Sequence, residues 1–185
     1  IFLFITDGDH QPPPKAESGI PFLVIGNARE GKLNFEGSRF VPEEYLVSLD
    51  VVRTPQKDDI LYTVVGSYGI PVIVDSNRPF CVQRHIAILK TFKFVNVQYL
   101  KYLLQSDLVF EQATACATGI AQKTVPLNGL RRIVVPFPPL AEQKRIVAKV
   151  DCLMALCDAL EAKLTAARAQ RETLMEAAAR QVLAV

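Results

Sequence analysis

The pattern of apolar and polar residues changes once along the chain, at a proline-rich run that ends at Pro139. Before this run, short apolar stretches rich in β-branched residues are separated by turns containing Gly, Pro, Asn and Asp, which is the pattern of β-strands. We predict strands at residues 2–5, 22–25, 60–65, 72–74, 85–90 and 132–135.

Two helical regions are predicted among these strands. Pro42 is followed by two glutamates, an order that favours a helix start because proline has no N–H to leave unpaired and acids face the positive end of the helix dipole. Residues 96–106 place apolar side chains three, four and seven positions apart, as on one helix face, and the pattern continues over residues 108–115. Strands and helices without strict alternation predict an α+β fold with a mixed β-sheet.

After Pro139 the sequence contains neither Gly nor Pro up to Ala184 and consists mainly of strong helix formers. We predict one helix over residues 140–185, about 65 Å long at 1.5 Å per residue. Its apolar positions alternate spacings of four and three, which predicts a coiled-coil interface. The predicted interface residues are Ile146, Val150, Leu153, Cys157, Leu160, Leu164, Ala167 and Leu174. We expect a partner helix to cover them; the alternative is that the helix folds back on its own domain.

Composition and charge narrow the classes of protein. The net charge of +2 is too small to identify a nucleic-acid-binding protein, so any basic surface must arise from local placement. The four cysteines form no C-x-x-C pair, which favours free thiols in a reducing cytoplasm over a zinc site or disulfides. The apolar residues 1–5 are too few to cross a membrane. Because there is no initiator methionine, we expect a piece of a longer protein.

Motifs for catalysis are absent from the sequence. Residues 66–69 read Gly-Ser-Tyr-Gly, one position short of the G-x-S-x-G nucleophile elbow, and there is no phosphate-binding or dinucleotide-binding glycine loop. Only two histidines are present, His10 and His85, so a metal-hydrolase site or a catalytic triad has few candidate residues. The sequence therefore predicts a protein that is not an enzyme and holds no metal.

Three segments resemble the specificity subunits of type I restriction-modification enzymes. Residues 6–10 read Thr-Asp-Gly-Asp-His and are followed by Gly-Ile-Pro-Phe-Leu at 19–23. Residues 119–123 read Gly-Ile-Ala-Gln-Lys, similar to the family's G-x-A-Q segment, and residues 135–147 read Val-Pro-Phe-Pro-Pro-Leu-Ala-Glu-Gln-Lys-Arg-Ile-Val. In this order the segments cover nearly the whole chain.

The resemblance implies a target recognition domain at residues 1–139, which reads one half of a bipartite DNA target, and a conserved spacer helix at 140–185. It implies double-stranded DNA, modification subunits and a restriction subunit as partners, in the cytoplasm and without a membrane. The long helix would pair with a second specificity half or with a second copy of the chain. Catalysis would reside on the partner subunits, which would carry S-adenosylmethionine, Mg and ATP.

Residues for reading DNA are sought in loops beside strands, because Arg, Asn and Gln pair with base edges and Lys binds phosphates. The candidates are Asn27, Arg29, Lys32, Ser67, Tyr68, Arg78, Gln83, Arg84, His85, Gln122, Lys123 and Thr124. Asp7, Gly8 and His10 are expected instead to support folding or the docking of a modification subunit. The alternative function is a protein-interaction scaffold that uses the coiled coil and does not read DNA.

Overall fold

The computed structural model describes residues 2–29, 31–92 and 94–183 and divides the chain into two compact units, Ile1–Gln143 and Lys144–Val185. The strands are β1 (Phe2–Asp7), β2 (Ile20–Leu23), β3 (Ala28–Arg29), β4 (Lys32–Leu33), β5 (Arg39–Val41), β6 (Ile60–Thr63), β7 (Pro71–Ile73), β8 (Cys81–Val82) and β9 (Ile86–Thr91). The helices are α1 (Glu43–Ser48), α2 (Val97–Gln105), α3 (Asp107–Cys116), α4 (Leu127–Leu130) and α5 (Leu140–Leu183).

The strands of the first unit form two main sheets and a short hairpin. The larger sheet has the order β1-β9-β6-β7, and all its neighbouring strands are antiparallel. The smaller sheet has the order β5-β2-β8, in which β2 is antiparallel to β5 and parallel to β8. Strands β3 and β4 form a two-stranded antiparallel sheet. With the short helices and the long α5, this arrangement confirms the predicted α+β fold.

The core of the first unit is built from the side chains that the strands bury. Every residue of β6 is buried, as is β9 from Ile86 to Lys90. One apolar cluster draws its members from both sheets and includes Leu23, Leu61, Phe80 and Ile88. A second cluster packs β2, β5 and β8 against side chains from α1. Burying these near-continuous apolar stretches is the dominant stabilising contribution to the first unit.

A close backbone contact at Gly8 joins the two sheets. Strand β1 ends at Asp7, and Asp9 then forms a parallel bridge with Gln83, just after β8. A Cβ atom at Gly8 would overlap the carbonyl oxygen of Val82, so only glycine fits between these backbones. The chain continues from Gln83 into β9, which pairs with β1. The Asp-Gly-Asp segment therefore lies where the polypeptide crosses from one sheet to the other.

The predicted helices inside the first unit are present, and among its described residues one further α-helix was not predicted. Helix α1 begins directly after Pro42, and α2 begins after Asn96, whose side chain accepts a hydrogen bond from the N–H of Tyr99. Helix α4 has only four residues, Leu127–Leu130, which is too short to produce a recognisable apolar period.

The predicted strand at residues 132–135 is wrong. This segment forms no ladder; instead, the side-chain amide of Gln112 accepts a hydrogen bond from the N–H of Val134 and donates one to its carbonyl, both at 2.9 Å. Two residues later, the carbonyl of Pro136 accepts from the hydroxyl of Tyr99. Side chains thus satisfy the backbone groups that a neighbouring strand would have paired.

The strand predicted at residues 22–25 is displaced towards the N-terminus. It begins at Ile20, which pairs with Val41, and ends at Leu23. The N–H of Val24 donates to the side-chain oxygen of Asn27, and the chain turns into a 3-10 helix at Ile25–Asn27. A local side-chain hydrogen bond therefore ends the strand before its apolar run ends.

The long helix begins at Leu140, directly after the proline run, and its first turn is held by a buried amide. Gln143 is 1% exposed. Its side-chain oxygen accepts from the N–H of Asn96 at 3.0 Å, and its nitrogen donates to the carbonyl of Pro138 at 2.8 Å. The glutamine of the Ala-Glu-Gln-Lys-Arg segment thus links the start of α5 to the start of α2.

Replacing Gly8 by alanine should lower the free energy of unfolding by about 2–4 kcal/mol, because the new methyl group forces the two backbones apart. Equilibrium urea unfolding of the purified chain measures this loss. Gly37→Ala is the matched control, since its Cβ would meet open space and only its positive φ of 66° adds a cost, about 1 kcal/mol. If the two variants lost equal amounts of the free energy of unfolding, the close contact between Gly8 and the Val82 backbone would not be important for stability.

Gln143→Ala should destabilise the first unit by about 1–3 kcal/mol, because the N–H of Asn96 and the carbonyl of Pro138 lose their partner. The same unfolding measurement applies, with Gln170→Ala as the control because Gln170 is an exposed glutamine of the same helix. If the two substitutions change the free energy of unfolding equally, the buried amide of Gln143 does not stabilise the contact between the start of α5 and the start of α2.

Candidate nucleic-acid interface

Candidate residues from three distant stretches of the sequence meet around two shallow depressions on the first unit. One depression, of about 420 Å³, is lined by Gly66 and Ser67 together with Gln122. The other, of about 400 Å³, is lined by Arg84, His85, Gln122 and Thr124. Gln122 borders both depressions, so the two adjoin at this residue. The first is lined mainly by apolar residues and the second by a mixture of polar and apolar residues.

Backbone hydrogen bonds bring these stretches together at the end of β6. The N–H of Val64 donates to the carbonyl of His85 at 3.0 Å, and the carbonyl of Val64 accepts from the N–H of Val125 at 2.8 Å. The N–H of Gly66 donates to the carbonyl of Lys123 at 2.9 Å. The segment after β6 therefore lies between the segment that precedes β9 and the one that follows α3.

The loop at residues 118–124 is closed at its base. Thr118 and Thr124 exchange two backbone hydrogen bonds of 2.8 Å each, as a pair of antiparallel residues does. Gly119 has φ +99°, and a Cβ there would overlap the carbonyl oxygen of Gln122, so the tight turn requires glycine. The loop, hereafter the 118–124 ribbon, holds Gln122 and Lys123 exposed beside the depressions.

The Asp-Gly-Asp-His segment contributes Asp7 and His10 to the lining of the second depression. Nε2 of His10 lies 3.0 Å from Oδ2 of Asp7, which is buried, and both residues line the depression. Arg53 donates to the carbonyl of Gly8 at 2.9 Å and lies 3.4 Å from Oδ1 of Asp7. The hydroxyl of Tyr45 donates to Asp9 at 2.9 Å. These contacts fix the segment on which His10 is presented.

The histidine of the second stretch is held towards its neutral form. His85 is half-buried, and this burial, followed by the positive charge of neighbouring Arg84, lowers its pKa below the usual 6.5. A neutral imidazole has one hydrogen-bond donor and one acceptor. Beside the permanently charged and exposed Arg84, the depression therefore combines a cation with groups that can donate to or accept from a base edge.

Four further candidates have contacts inside the protein. Asn27 is buried, and its amide accepts from Val24 and donates to the carbonyl of Asn34 at 2.9 Å, which shapes the loop around it. Tyr68 stacks on Phe110, with ring centroids 5.4 Å apart, and its hydroxyl lies 2.9 Å from that of Thr114. The guanidinium of Arg78 lies 4.5 Å from the ring centroid of Phe35.

The fourth of these, Gln83, uses its backbone between the sheets. Its N–H donates to the carbonyl of Leu23, and its carbonyl accepts from the N–H of Ile86.

Lys32 is exposed on β4 and lines neither depression. The side chain of Arg29 lies outside the part of the chain that the structure describes.

His10 was not among the residues predicted to contact DNA, although it lines the same depression as Arg84 and His85. The sequence signal that could have found it is its place in the Asp-Gly-Asp-His segment. Its neighbours in the fold are far away along the chain, so proximity to them could not be predicted from spacing.

All four cysteines are free thiols, and Cys81 is buried, which raises its pKa to about 12. Among the described residues, no group of three or more His, Cys, Asp or Glu side chains is placed to hold a metal ion. The described helices include none with a stretch long and apolar enough to cross a membrane.

The sequence matches the model of a family described as the type I restriction modification DNA specificity domain, over residues 14–167. It is 27% identical over 168 residues to the EcoBI specificity subunit of Escherichia coli, covering 90% of this chain and 35% of that protein. It is 27% identical over 143 residues to the MjaVIII specificity subunit of Methanocaldococcus jannaschii, covering 74% and 33%. The chain thus spans about a third of the length of these type I restriction enzyme subunits.

Solved structures share the fold. A chain from a structure of a type I R-M system superposes with a TM-score of 0.63 at 22% identity, covering 91% of this chain and 38% of that one. The HsdS subunit of Thermoanaerobacter tengcongensis gives a TM-score of 0.59 at 19% identity, covering 76% of this chain and 37% of the subunit.

The ring of His85 should titrate below pH 6.5, and Arg84→Ala should raise its pKa part of the way towards 6.5, because burial remains as the larger cause. NMR titration of the imidazole, assigned by the signal lost in His85→Gln, measures both values. Because the folded pKa is the lower one, the unfolded chain binds the proton first, and stability should fall as pH decreases through about 6.5. A pKa of His85 at or above 6.5 would contradict the described burial.

Proposed function

The chain belongs to the family of type I restriction modification DNA specificity domains, and we propose that its first unit reads one half of a bipartite DNA target. The observation that carries this proposal is the convergence of Arg84, His85, Gln122 and Thr124 on one exposed surface. These residues come from two separate loops, and none belongs to the buried apolar core.

The chemistry of the converging groups suits base reading. Arginine forms two parallel hydrogen bonds to the O6 and N7 atoms of guanine, and glutamine does the same to N6 and N7 of adenine. Arg84 and Gln122 are both exposed and line the second depression, and the exposed Lys123 follows Gln122 in the chain, where its charge suits a phosphate. A few well-placed groups of this kind supply specificity without a large net positive charge.

We propose that α5 pairs with a second helix, from another specificity half or from a second copy of the chain. Every residue from Asp151 to Arg180 is exposed, and the exposed residues include Leu153, Leu160, Leu164 and Leu174 from the predicted coiled-coil interface. Each such leucine side chain that stays in water lacks the roughly 1.5–3 kcal/mol of stabilising free energy that full burial would give it. A partner helix would recover much of this free energy.

A paired helix would also set the distance between two DNA half-sites. At 1.5 Å per residue, the 44 residues of α5 span about 66 Å. Half-sites one helical turn apart on DNA are separated by about 34–36 Å. A stiff pair of helices of this length would hold two reading domains at a fixed spacing, so helix length would determine the gap between the half-sites.

The catalytic steps are assigned in this proposal to other subunits. Modification subunits would bind S-adenosylmethionine and methylate the DNA, and a restriction subunit would use ATP and Mg for translocation and cleavage. The chain would act in the cytoplasm as the part that selects the sequence.

The proposal is tested by enriching bound duplexes from a randomised library, with the full specificity subunit that contains this chain in complex with its modification subunits. A short fixed motif should be recovered. Arg84→Ala should relax one position of it, at a cost of about 1–3 kcal/mol, whereas Lys123→Ala should weaken all sequences alike and reduce the salt dependence by about one phosphate contact.

Lys57→Ala is the control, because Lys57 is exposed but lines neither depression. A stable complex with the modification subunits that selects no motif would overturn DNA reading. That result would favour a protein-interaction scaffold.

A further inference from the structure

One apolar side chain is exposed on the loop that carries Gln122, the residue common to both depressions. Ile120 has a relative exposure of 105%, the highest among the large apolar residues that the structure describes. It lies at the tip of the 118–124 ribbon, two residues before Gln122. An isoleucine so placed gains no stabilisation from burial in the folded chain, and its side chain is open to an apolar contact with a ligand.

The 118–124 ribbon that carries Ile120 is anchored by backbone hydrogen bonds. The paired Thr118 and Thr124 close the base, and the bond from Gly66 to the carbonyl of Lys123 attaches the ribbon to the end of β6. The close approach of Gly119 to the carbonyl of Gln122 sets the turn. The position of the isoleucine is therefore fixed relative to Gln122.

The shape of the tip fits a groove of DNA. Ile120 is flanked by Gly119 and Ala121, the two smallest residues, so it projects without bulky neighbours. The 118–124 ribbon is a seven-residue loop closed by the single bridge between Thr118 and Thr124. The major groove is about 12 Å wide and admits elements as wide as an α-helix, so it has room for such a loop. In that groove an A·T pair presents the N6 and N7 atoms of adenine, which glutamine reads, and the 5-methyl group of thymine, which makes apolar contacts.

Resting on the proposed function, we infer that Ile120 contacts the 5-methyl group of a thymine in the recognised half-site while Gln122 reads an adenine. The 118–124 ribbon thus reads an A·T-containing step in the major groove. Lys123 lies next in the chain and is exposed, which suits a contact with the flanking phosphate.

The surroundings of Ile120 favour DNA over a protein partner. Protein-docking sites are contiguous apolar patches of several hundred Å². The exposed side chains that follow Ile120 in the ribbon are instead an alanine methyl, the Gln122 amide and the Lys123 cation. A single apolar contact among hydrogen-bonding and basic groups matches the edge of a base pair in a charged groove.

The test uses the full specificity subunit in complex with its modification subunits and the duplex motif that the wild-type complex selects. Each thymine of the motif is replaced in turn by uracil, which lacks only the methyl group, and affinity is measured by competition. One replacement should weaken wild-type binding about four-fold, as expected for one buried methyl group. Ile120→Ala should weaken binding to the thymine duplex and lose the preference for thymine over uracil.

Ile120→Val is the conservative variant and should keep the preference. Val47→Ala is the matched control, because Val47 is 83% exposed in α1, away from the ribbon, and its loss should leave DNA binding unchanged.

Three outcomes would overturn the inference while leaving the proposed function standing: a selected motif without thymine, no effect of any uracil, or a uracil effect that persists in Ile120→Ala. Weaker assembly with the modification subunits in Ile120→Ala, with unchanged sequence preference, would also overturn it and indicate a protein contact. Failure of the wild-type complex to select any motif would instead defeat the proposed function itself.

Discussion

The surface that gathers the candidate DNA-reading residues depends on a backbone contact in which no side chain fits. At Gly8 the chain that leaves β1 lies against the carbonyl of Val82, at the point where the polypeptide passes from the three-stranded to the four-stranded sheet. The contact sets the start of β9, and so it positions Arg84 and His85. It also places Asp7 and His10 at the second depression, where Arg53 fixes their segment through the carbonyl of Gly8. The close packing at Gly8 therefore also determines where the residues that line the second depression lie.

The remainder of the surface follows from the end of β6. Its continuation bonds to the carbonyl of His85 on one side and to the 118–124 ribbon on the other. Residues from three loops thus share one backbone framework, and their relative positions do not depend on flexible side chains. This arrangement explains how a chain with a net charge of only +2 can present an arginine, a glutamine and a lysine together. The hydrogen-bonding and basic side chains are brought together by the fold, although the chain as a whole has little excess positive charge.

The two units of the chain differ in how their backbone polar groups are hydrogen-bonded and in whether their apolar side chains are buried. In the first unit, side-chain amides complete the backbone: Asn27 closes its own loop, Gln112 pairs with Val134, and Gln143 bonds to Asn96 and Pro138. In the second unit the backbone is satisfied within the helix, while leucines from Leu153 to Leu174 remain exposed. The first unit buries its apolar side chains in a core of its own, whereas the second leaves its apolar side chains exposed.

The sequence by itself determined the elements whose signals are local. The β-branched stretches at β1, β6, β7 and β9, the apolar period of α2 and the unbroken run of helix formers in α5 depend on neighbouring residues, and they were predicted. The tertiary structure decided what depends on residues far apart in the chain. Residues 132–135 have the composition of a strand, yet Gln112 takes the place of the neighbouring strand. Asn27 is predicted to contact DNA, and only the tertiary structure showed that its amide is hydrogen-bonded within its own loop. The meeting of Gly66, Arg84 and Gln122 follows from hydrogen bonds between segments that no periodicity connects, because the free energy of those contacts belongs to the assembled sheets and not to any one segment.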